Sequence, residues 1–423
     1  MRRFCFLASL LMLFIASASM VMAAQMTGIE RVGRKLYMDT GLSLNRNQSC
    51  MTCHHPSAGF ADPANRLDPS IPVSDGSDPE LFGGANAPSS AYAGFSPILE
   101  FVCEGGDCLW IGGMFWNGRA TGWRLEDPLA EQALGPFLNP REMGLASMEE
   151  VVSRVQASSY AREFERVFSD PAWGWMGWGD VEGTYDLIGR AIAEFERSQT
   201  VTRFSSLFDR FYSACRSAGI DVADIGIRTP ISAVPQGILS PGQLKGLALF
   251  NRPNNNDGIL GDIDGVPEGG NCAACHPSGA SMYDPAGRAL FTDFSYDNLG
   301  IPTNWKLYAL LNAKLLPGET EAEPPDLGLG GFLATVDLAG FPGAVASDEY
   351  GKFKVPTLRN VAKSPPYGHN GYFVTLKEIV GFYNLRTEAP EYAATMNTDE
   401  LGDLGLSPQD INNIVAFLKT LND

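Results

Sequence analysis

Two thiols and an imidazole recur at one spacing in this chain, as Cys50-Met51-Thr52-Cys53-His54 and again as Cys272-Ala273-Ala274-Cys275-His276. The spacing C-x-x-C-H is what covalent attachment of a c-type haem requires. Each sulfur adds across a haem vinyl group, and the histidine that follows binds the iron from one face. A single copy also suits a redox dithiol or part of a zinc site, or arises by chance. Two copies behind an export signal point to two covalently bound c-type haems.

The chain holds four histidines. His54 and His276 belong to the motifs, and His55 cannot reach the opposite face of the iron bound by its neighbour. Only His369 remains. An electron-transfer haem takes a second strong ligand, His or Met. Between His55 and Trp116 there is no further His, and the one Met is Met114. The first haem is therefore expected to be five-coordinate; the alternative is a methionine such as Met114 or Met143 on its free face. An open ferric haem binds hydrogen peroxide, and O–O cleavage then needs a group that takes a proton from one oxygen and returns it to the other. Glu142, in the turn from Asn139 to Gly144, offers a carboxylate, with Gln132 and Pro136 upstream. On composition alone it reads as an ordinary solvated acid.

The elements that must position these groups are helical. Ile29, Val32, Leu36 and Tyr37 give a helix over 28–39, and Ser240-Pro241 caps another carrying Leu244, Leu247 and Phe250. Gly33 to Tyr37 and Gly246 to Phe250 occupy matching places before the two motifs, so one small haem-binding unit is duplicated, with an Asn- and Gly-rich insertion at 254–258 in the second copy. Ser147 with Glu150 opens a helix running to Phe168. Further helices are expected over Asp186–Gln199, Phe204–Tyr212, Thr375–Leu385 and Ile411–Leu421. Residues 65–90 and 312–350 read as irregular, and 215–239 as the linker. No alternating strand pattern of any length occurs. The expected fold is mostly α: two c-type cytochrome domains related by duplication, with long irregular loops. The signal peptide takes 1–24, the N-terminal peroxidatic domain 25–225 and the C-terminal electron-transfer domain 226–423.

Met1-Arg2-Arg3, the apolar run Phe4 to Leu13 and the small residues ending at Ala23-Ala24 form a secretory signal, which implies a periplasmic protein. The alternative is an uncleaved anchor over Phe4 to Ala24; no later segment is apolar enough to span a bilayer. The formal net charge is −18, and loss of Arg2 and Arg3 takes it to −20. That disfavours nucleic acid and anionic membranes as partners and favours a basic one. Of the eight cysteines, Cys5 goes with the signal, Cys103 and Cys108 flank a tight loop that a disulfide can close, and Cys215 is left as a buried thiol. Trp173, Trp175 and Trp178 offer either packing or a surface relay. Asp262 to Gly265 lacks the ligands of an EF-hand and reads as loop.

In order, the segments Cys50–His54, Gly83 to Ser89, Phe115 to Ala120, Gln132 to Met143, Cys272–His276 and Val355 to Gly371 resemble the bacterial di-haem cytochrome c peroxidase and MauG family. The resemblance implies roles for these residues. Glu142 matches the distal glutamate of the peroxidatic haem, Gln132 and Pro136 its pocket companions, and Trp116 the tryptophan between the haems. Asn86 with the carbonyls of Ser364 and Pro366 matches a calcium site; the family usually has Thr where Ser364 stands. Many members carry a His on the loop after the first motif, which blocks the peroxidatic haem; this chain has none. They also carry a Met where this chain has Tyr383. Both departures resemble the MauG branch, in which a Tyr is the sixth ligand of the second haem. The alternative for Tyr383 is a core aromatic. His369 is then a group beside that haem rather than a ligand.

The implied function is a periplasmic di-haem peroxidase-family oxidoreductase. It reduces hydrogen peroxide and draws electrons, through high-valent haem, from a redox protein donor or from a Trp or Tyr of a protein substrate. The competing reading is a non-enzymatic di-haem electron carrier.

Overall fold

The computed structural model describes residues 26–251, 269–385, 392–398, 401–402 and 404–423. The signal segment with Cys5, the insertion at 254–258 and the stretch 262–265 lie outside them. Thr27 opens α1 (Gly28–Tyr37) through a reciprocal cap with Glu30. The first haem motif forms the single turn α2 (Cys50–Cys53), followed by α3 (Pro63–Leu67) and the hairpin β1 (Glu100–Glu104) and β2 (Asp107–Ile111). Then come α4 (Pro128–Leu138), α5 (Met148–Gln156), α6 (Ala161–Phe168), α7 (Val181–Arg197) and α8 (Leu207–Ser217). The second half holds α9 (Pro241–Asn251), a 3-10 turn over Cys272–Ala274, β3 (Tyr296–Asp297), α10 (Trp305–Ala313), α11 (Gly328–Leu333), β4 (Phe353–Lys354), α12 (Leu376–Leu385) and α13 (Pro408–Leu418). The strands make two antiparallel pairs, β1 with β2 and β3 with β4, and the rest of the ordered structure is helical. Among the described residues no helix is long and apolar enough to cross a membrane.

Three local readings differ from the sequence expectation. The helix expected from Ser147 to Phe168 is two helices, broken over Ala157 to Tyr160. The Tyr160 hydroxyl is drawn onto Asp39 at 2.6 Å there. The Glu150 carboxylate also reaches back one residue further than expected, to the Ala146 amide. The hairpin was not anticipated because most of its residues are exposed, so no period-two pattern marks it. Its register places Cys103 opposite Cys108, and the disulfide joins them. α11 lies in the Gly-rich stretch expected to be irregular; its glycines let it pack directly on Tyr350 and Ala346.

Two helix pairs are built on one pattern. α1 packs on α7, and α9 packs on α13. A Cβ on Gly33 would stand 1.7 Å from the Ala191 carbonyl oxygen and 3.0 Å from Phe195 Cβ. A Cβ on Gly246 would stand 2.0 Å from the Asn413 carbonyl oxygen and 2.8 Å from Phe417 Cβ. One turn further, Tyr37 meets Phe195 edge-on at 5.1 Å and 62°, and Phe250 meets Phe417 at 5.2 Å and 61°. Each pair sits in its own apolar core, one drawn mainly from 32–201 and the other from Phe208 onward. α8, which the expected boundary after residue 225 assigns to the first unit, buries Phe208, Phe211 and Cys215 in the second core.

Arg359 ties the halves together. It is fully buried, donates to both Asp209 carboxylate oxygens at 2.7 and 2.8 Å, and lies among the rings of Tyr92, Phe204, Phe208 and Phe291. Two backbone bonds cross between the halves reciprocally: Asn86 N–H donates to the His369 carbonyl at 2.8 Å, and Lys354 N–H donates to the Trp116 carbonyl at 2.8 Å.

Candidate active site

The two motif histidines are oriented alike. His54 Nδ1 lies 3.2 Å from the Phe60 carbonyl oxygen, and His276 Nδ1 lies 2.8 Å from that of Phe291. Both phenylalanines have left-handed backbones, φ 64° and 55°, which turn those carbonyls inward. A carbonyl that holds Nδ1–H leaves Nε2 as the metal-binding nitrogen. Burial lowers the pKa of both imidazoles and keeps them in the neutral form that binds metal. Burial also keeps the motif cysteines as thiols: it pushes Cys53 and Cys272 up to about 12, and Cys50 higher still. Among the described residues no group of three or more His, Cys, Asp or Glu could hold a metal ion.

Glu142 lies within electrostatic reach of the first motif. Its charge bears on both Cys50 and Cys53. Its Oε1 accepts from Asn139 Nδ2 at 2.9 Å, and burial raises its pKa above the usual carboxylate range while Arg119 and Asn139 oppose the rise. It is therefore not the freely solvated acid that composition suggests. The turn that carries it is anchored from outside: Arg141 donates to Glu319 through Nη2 at 2.6 Å and Nε at 3.1 Å. Gln132 and Pro136 lie one turn apart on one face of α4, both half-buried, and the Pro136 carbonyl accepts from Met143 N–H at 3.1 Å. Met143 itself is buried in the first core, away from a ligand role. His55 caps the next turn, with Nδ1 2.7 Å from Ser57 Oγ.

The second motif opens onto a cavity of about 820 Å³, within the usual range for cofactor sites. Cys272, Cys275, His276 and Tyr383 line it together, with Trp116, Asn86, Ser364, Pro366 and His369. Tyr383 lies on α12, and burial together with the charges of Cys272, Cys275 and Asp297 raises its pKa. The residues fit a haem: two thiols, an imidazole with its Nε2 available, and a phenol on one apolar cavity. Trp116 Nε1 donates to the Asn86 carbonyl at 2.8 Å. Next to it in sequence, Phe115 lies under the Arg119 guanidinium at 3.5 Å, and Arg119 in turn bears on Glu142. The turn from Phe115 to Arg119 thus lines the second motif's cavity and bears on Glu142. His369 stacks on Phe353 at 3.5 Å, and burial lowers its pKa to about 3, so it stays neutral.

Of the remaining expectations, Cys215 is a buried thiol. The three tryptophans pack on α6: Trp178 on Phe164 at 5.2 Å and Trp173 on Phe168 at 5.4 Å. Sequence reading overlooked Phe60 and Phe291 as orienting residues. The signal was present, since Phe60-Ala61-Asp62 and Phe291-Thr292-Asp293 repeat one pattern after the two motifs. It also overlooked Lys354, half-buried and bonded through its backbone N–H to the Trp116 carbonyl, with its Nζ on Ser96 Oγ at 3.0 Å and the Gly112 carbonyl at 2.9 Å; desolvation lowers its pKa to about 7.

A helical protein with two such motifs and these pockets is a di-haem peroxidase-type oxidoreductase, and comparison with known proteins agrees. Residues 28–216 match the family described as di-haem cytochrome c peroxidase. The chain is 30% identical over 410 residues to the methylamine utilization protein MauG of Paracoccus denitrificans, covering 93% of this chain and 88% of that one. It is 27% identical over 392 residues to the cytochrome c551 peroxidase of Nitrosomonas europaea, covering 92% and 78%. The diheme peroxidase BthA of Burkholderia thailandensis superposes with a TM-score of 0.69 at 28% identity, over 95% of this chain and 87% of that one. The chain belongs to the di-haem cytochrome c peroxidase and MauG family and is an enzyme of the di-haem peroxidase type, not a simple electron carrier.

Proposed function

We propose that this protein reduces hydrogen peroxide at a haem held by Cys50, Cys53 and His54, and draws the electrons from a partner protein through a second haem held by Cys272, Cys275, His276 and Tyr383. The observation that carries the reading is the shared cavity of His276, Tyr383 and Trp116, together with a half-buried carboxyl, Glu142, whose charge bears on Cys50 and Cys53 of the first motif. Haem bound at these motifs supplies the redox chemistry. The chain supplies position and protons. Glu142, held by Asn139 and raised by burial, takes a proton from one peroxide oxygen and returns it to the leaving one. Gln132 and Pro136 shape that pocket. Trp116, fixed at its indole by Asn86 and at its carbonyl by Lys354, links the two sites.

The two units arise by duplication, a reading supported by the matched packing of Gly33 and Gly246. A calcium ion joins them through Asn86 and the carbonyls of Ser364 and Pro366. All three line one cavity, and hard oxygen donors suit that ion. The protein works in the periplasm after loss of residues 1–24. The missing loop histidine and Tyr383 favour an enzyme that needs no prior reduction and that oxidises a Trp or Tyr of its partner; a small redox protein is the other donor. Stoichiometric peroxide added to the diferric protein without reductant tests this. A persistent spectral change at both haems supports the reading, and inertness until pre-reduction overturns it.

A further inference from the structure

The matched helix pairs differ at one place. In the first half the Tyr37 hydroxyl donates to the His54 carbonyl at 2.8 Å and lies 3.0 Å from Ser90 Oγ. Ser90 in turn lies close enough to the carboxyl of Glu196 on α7 to lower its pKa against the rise from burial. Glu196 is 3% exposed, and its Oε2 is buried with no hydrogen-bond partner. Its charge bears on Cys50, one of the haem-attachment thiols.

The counterparts in the second half follow from the packing. Gly33 and Phe195 match Gly246 and Phe417, so Tyr37 matches Phe250 and Glu196 matches Leu418. The segments that run beside the two histidines also match: the backbone of Pro88 bears on the titration of His54 as that of Pro356 does on His276, and four residues on Tyr92 and Asn360 share a left-handed backbone. Ser90 then matches Leu358. A tyrosine, a serine and a glutamate in one half stand where the other half has Phe250, Leu358 and Leu418. Apolar side chains at these places satisfy the fold, so the polar trio needs another reason. A buried carboxyl with one oxygen unpaired is costly to retain without one.

We propose that Glu196, with Ser90 and Tyr37, is a proton-holding site behind the first haem, which couples that haem's reduction, and not the second haem's, to proton uptake. When the first haem gains one electron from an outside donor, the Glu196 carboxylate binds one proton from solvent. An O–H bond forms, no other bond breaks, and the added negative charge is compensated inside the protein. The physical cause is that a charge change in a low-dielectric site alters the proton affinity of a nearby buried acid. The charged and titratable groups that face Glu196 are Tyr37 on α1, Cys50 on α2, Asp127 at the start of α4 and Arg197 beside it. Asp127 and Arg197 pair with each other at 2.6 and 3.0 Å. Burial already places Glu196 in a range where its proton can exchange, at a pKa of about 8.

The inference rests on haem attachment at Cys50–His54, and spectroelectrochemistry of the two-haem protein tests both separately. Each tenfold rise in the proton affinity of Glu196 on reduction moves a one-electron potential by about 59 mV. The first haem's potential should therefore fall by up to that amount per pH unit once pH rises above about 8, where the oxidised protein has given up the Glu196 proton, while the second stays flat. Glu196→Gln should abolish the slope. In wild-type protein, infrared difference spectra should show a protonated carboxylic acid band appearing on reduction, a readout that needs no variant. Two redox waves with no slope, no such band, or a slope that survives Glu196→Gln would each overturn the coupling. A haem count of one per chain, by pyridine haemochrome, would instead show that a motif is empty, and would overturn the function proposed above as well.

Discussion

Gly33 packs so closely on Ala191 that a side chain there would collide with backbone, and Gly246 meets Asn413 the same way. These contacts hold the two helix pairs that frame the motifs. Gly33→Ala or Gly246→Ala forces the helices apart, at a cost of roughly 1–3 kcal/mol or more. For domains of this size that lowers Tm by about 2–4 °C per kcal/mol. Unchanged thermal unfolding of either variant would show that the helices separate freely.

The Glu142 carboxyl is half-buried, bears electrostatically on Cys50 and Cys53 and is held by Asn139. Glu142→Gln keeps the shape and removes the proton carrier. The peroxide reaction should slow by about 10²–10⁴-fold in stopped-flow absorbance, with both haems still attached. A rate equal to wild type removes Glu142 from the chemistry.

Tyr383 shares its cavity with His276. Tyr383→Phe preserves the ring and deletes the ligand atom, so the resting ferric protein should gain a second high-spin haem in its electron paramagnetic resonance spectrum. If the signal of the second haem is unaltered, its sixth ligand lies elsewhere.

Glu196 has a folded-state pKa of about 8, above its ordinary value of 4.5. The folded state therefore binds this proton more tightly than the unfolded chain does. The resulting stabilisation is complete below the ordinary value and is lost as pH rises through about 8, on the order of a few kcal/mol. Thermal unfolding measured from mildly acidic to alkaline pH should show that decline, and Glu196→Gln should flatten it. A decline that persists in the variant must come from another group.

Asn86 accepts from the Trp116 indole through its backbone carbonyl, so an ion at Asn86 would also fix Trp116. Chelation of calcium should change the absorption of the haems, and added calcium should restore it. Indifference to chelator would dismiss the ion.

The sequence by itself determined what local pattern can carry. C-x-x-C-H spacing marked both motifs, and helical periodicity with Ser or Thr caps marked α1, α9, α12 and α13. Those signals lie within a few residues of one another, where geometry follows from the backbone alone. Even the symmetry of the two helix pairs was visible in Gly33 and Gly246, because close helix contact leaves room only for glycine. Tertiary structure alone decided the rest. Glu142 looked like a surface acid until folding set it against Cys50 and Cys53, and the hairpin carried no periodic signal because so little of it is buried. Tyr37, Ser90 and Glu196 stand far apart in the chain, and nothing in their neighbours distinguishes a buried polar trio from three unrelated residues. Only the packing of α1 on α7 brings them together, and only the apolar trio in the other half shows that the fold itself did not require them.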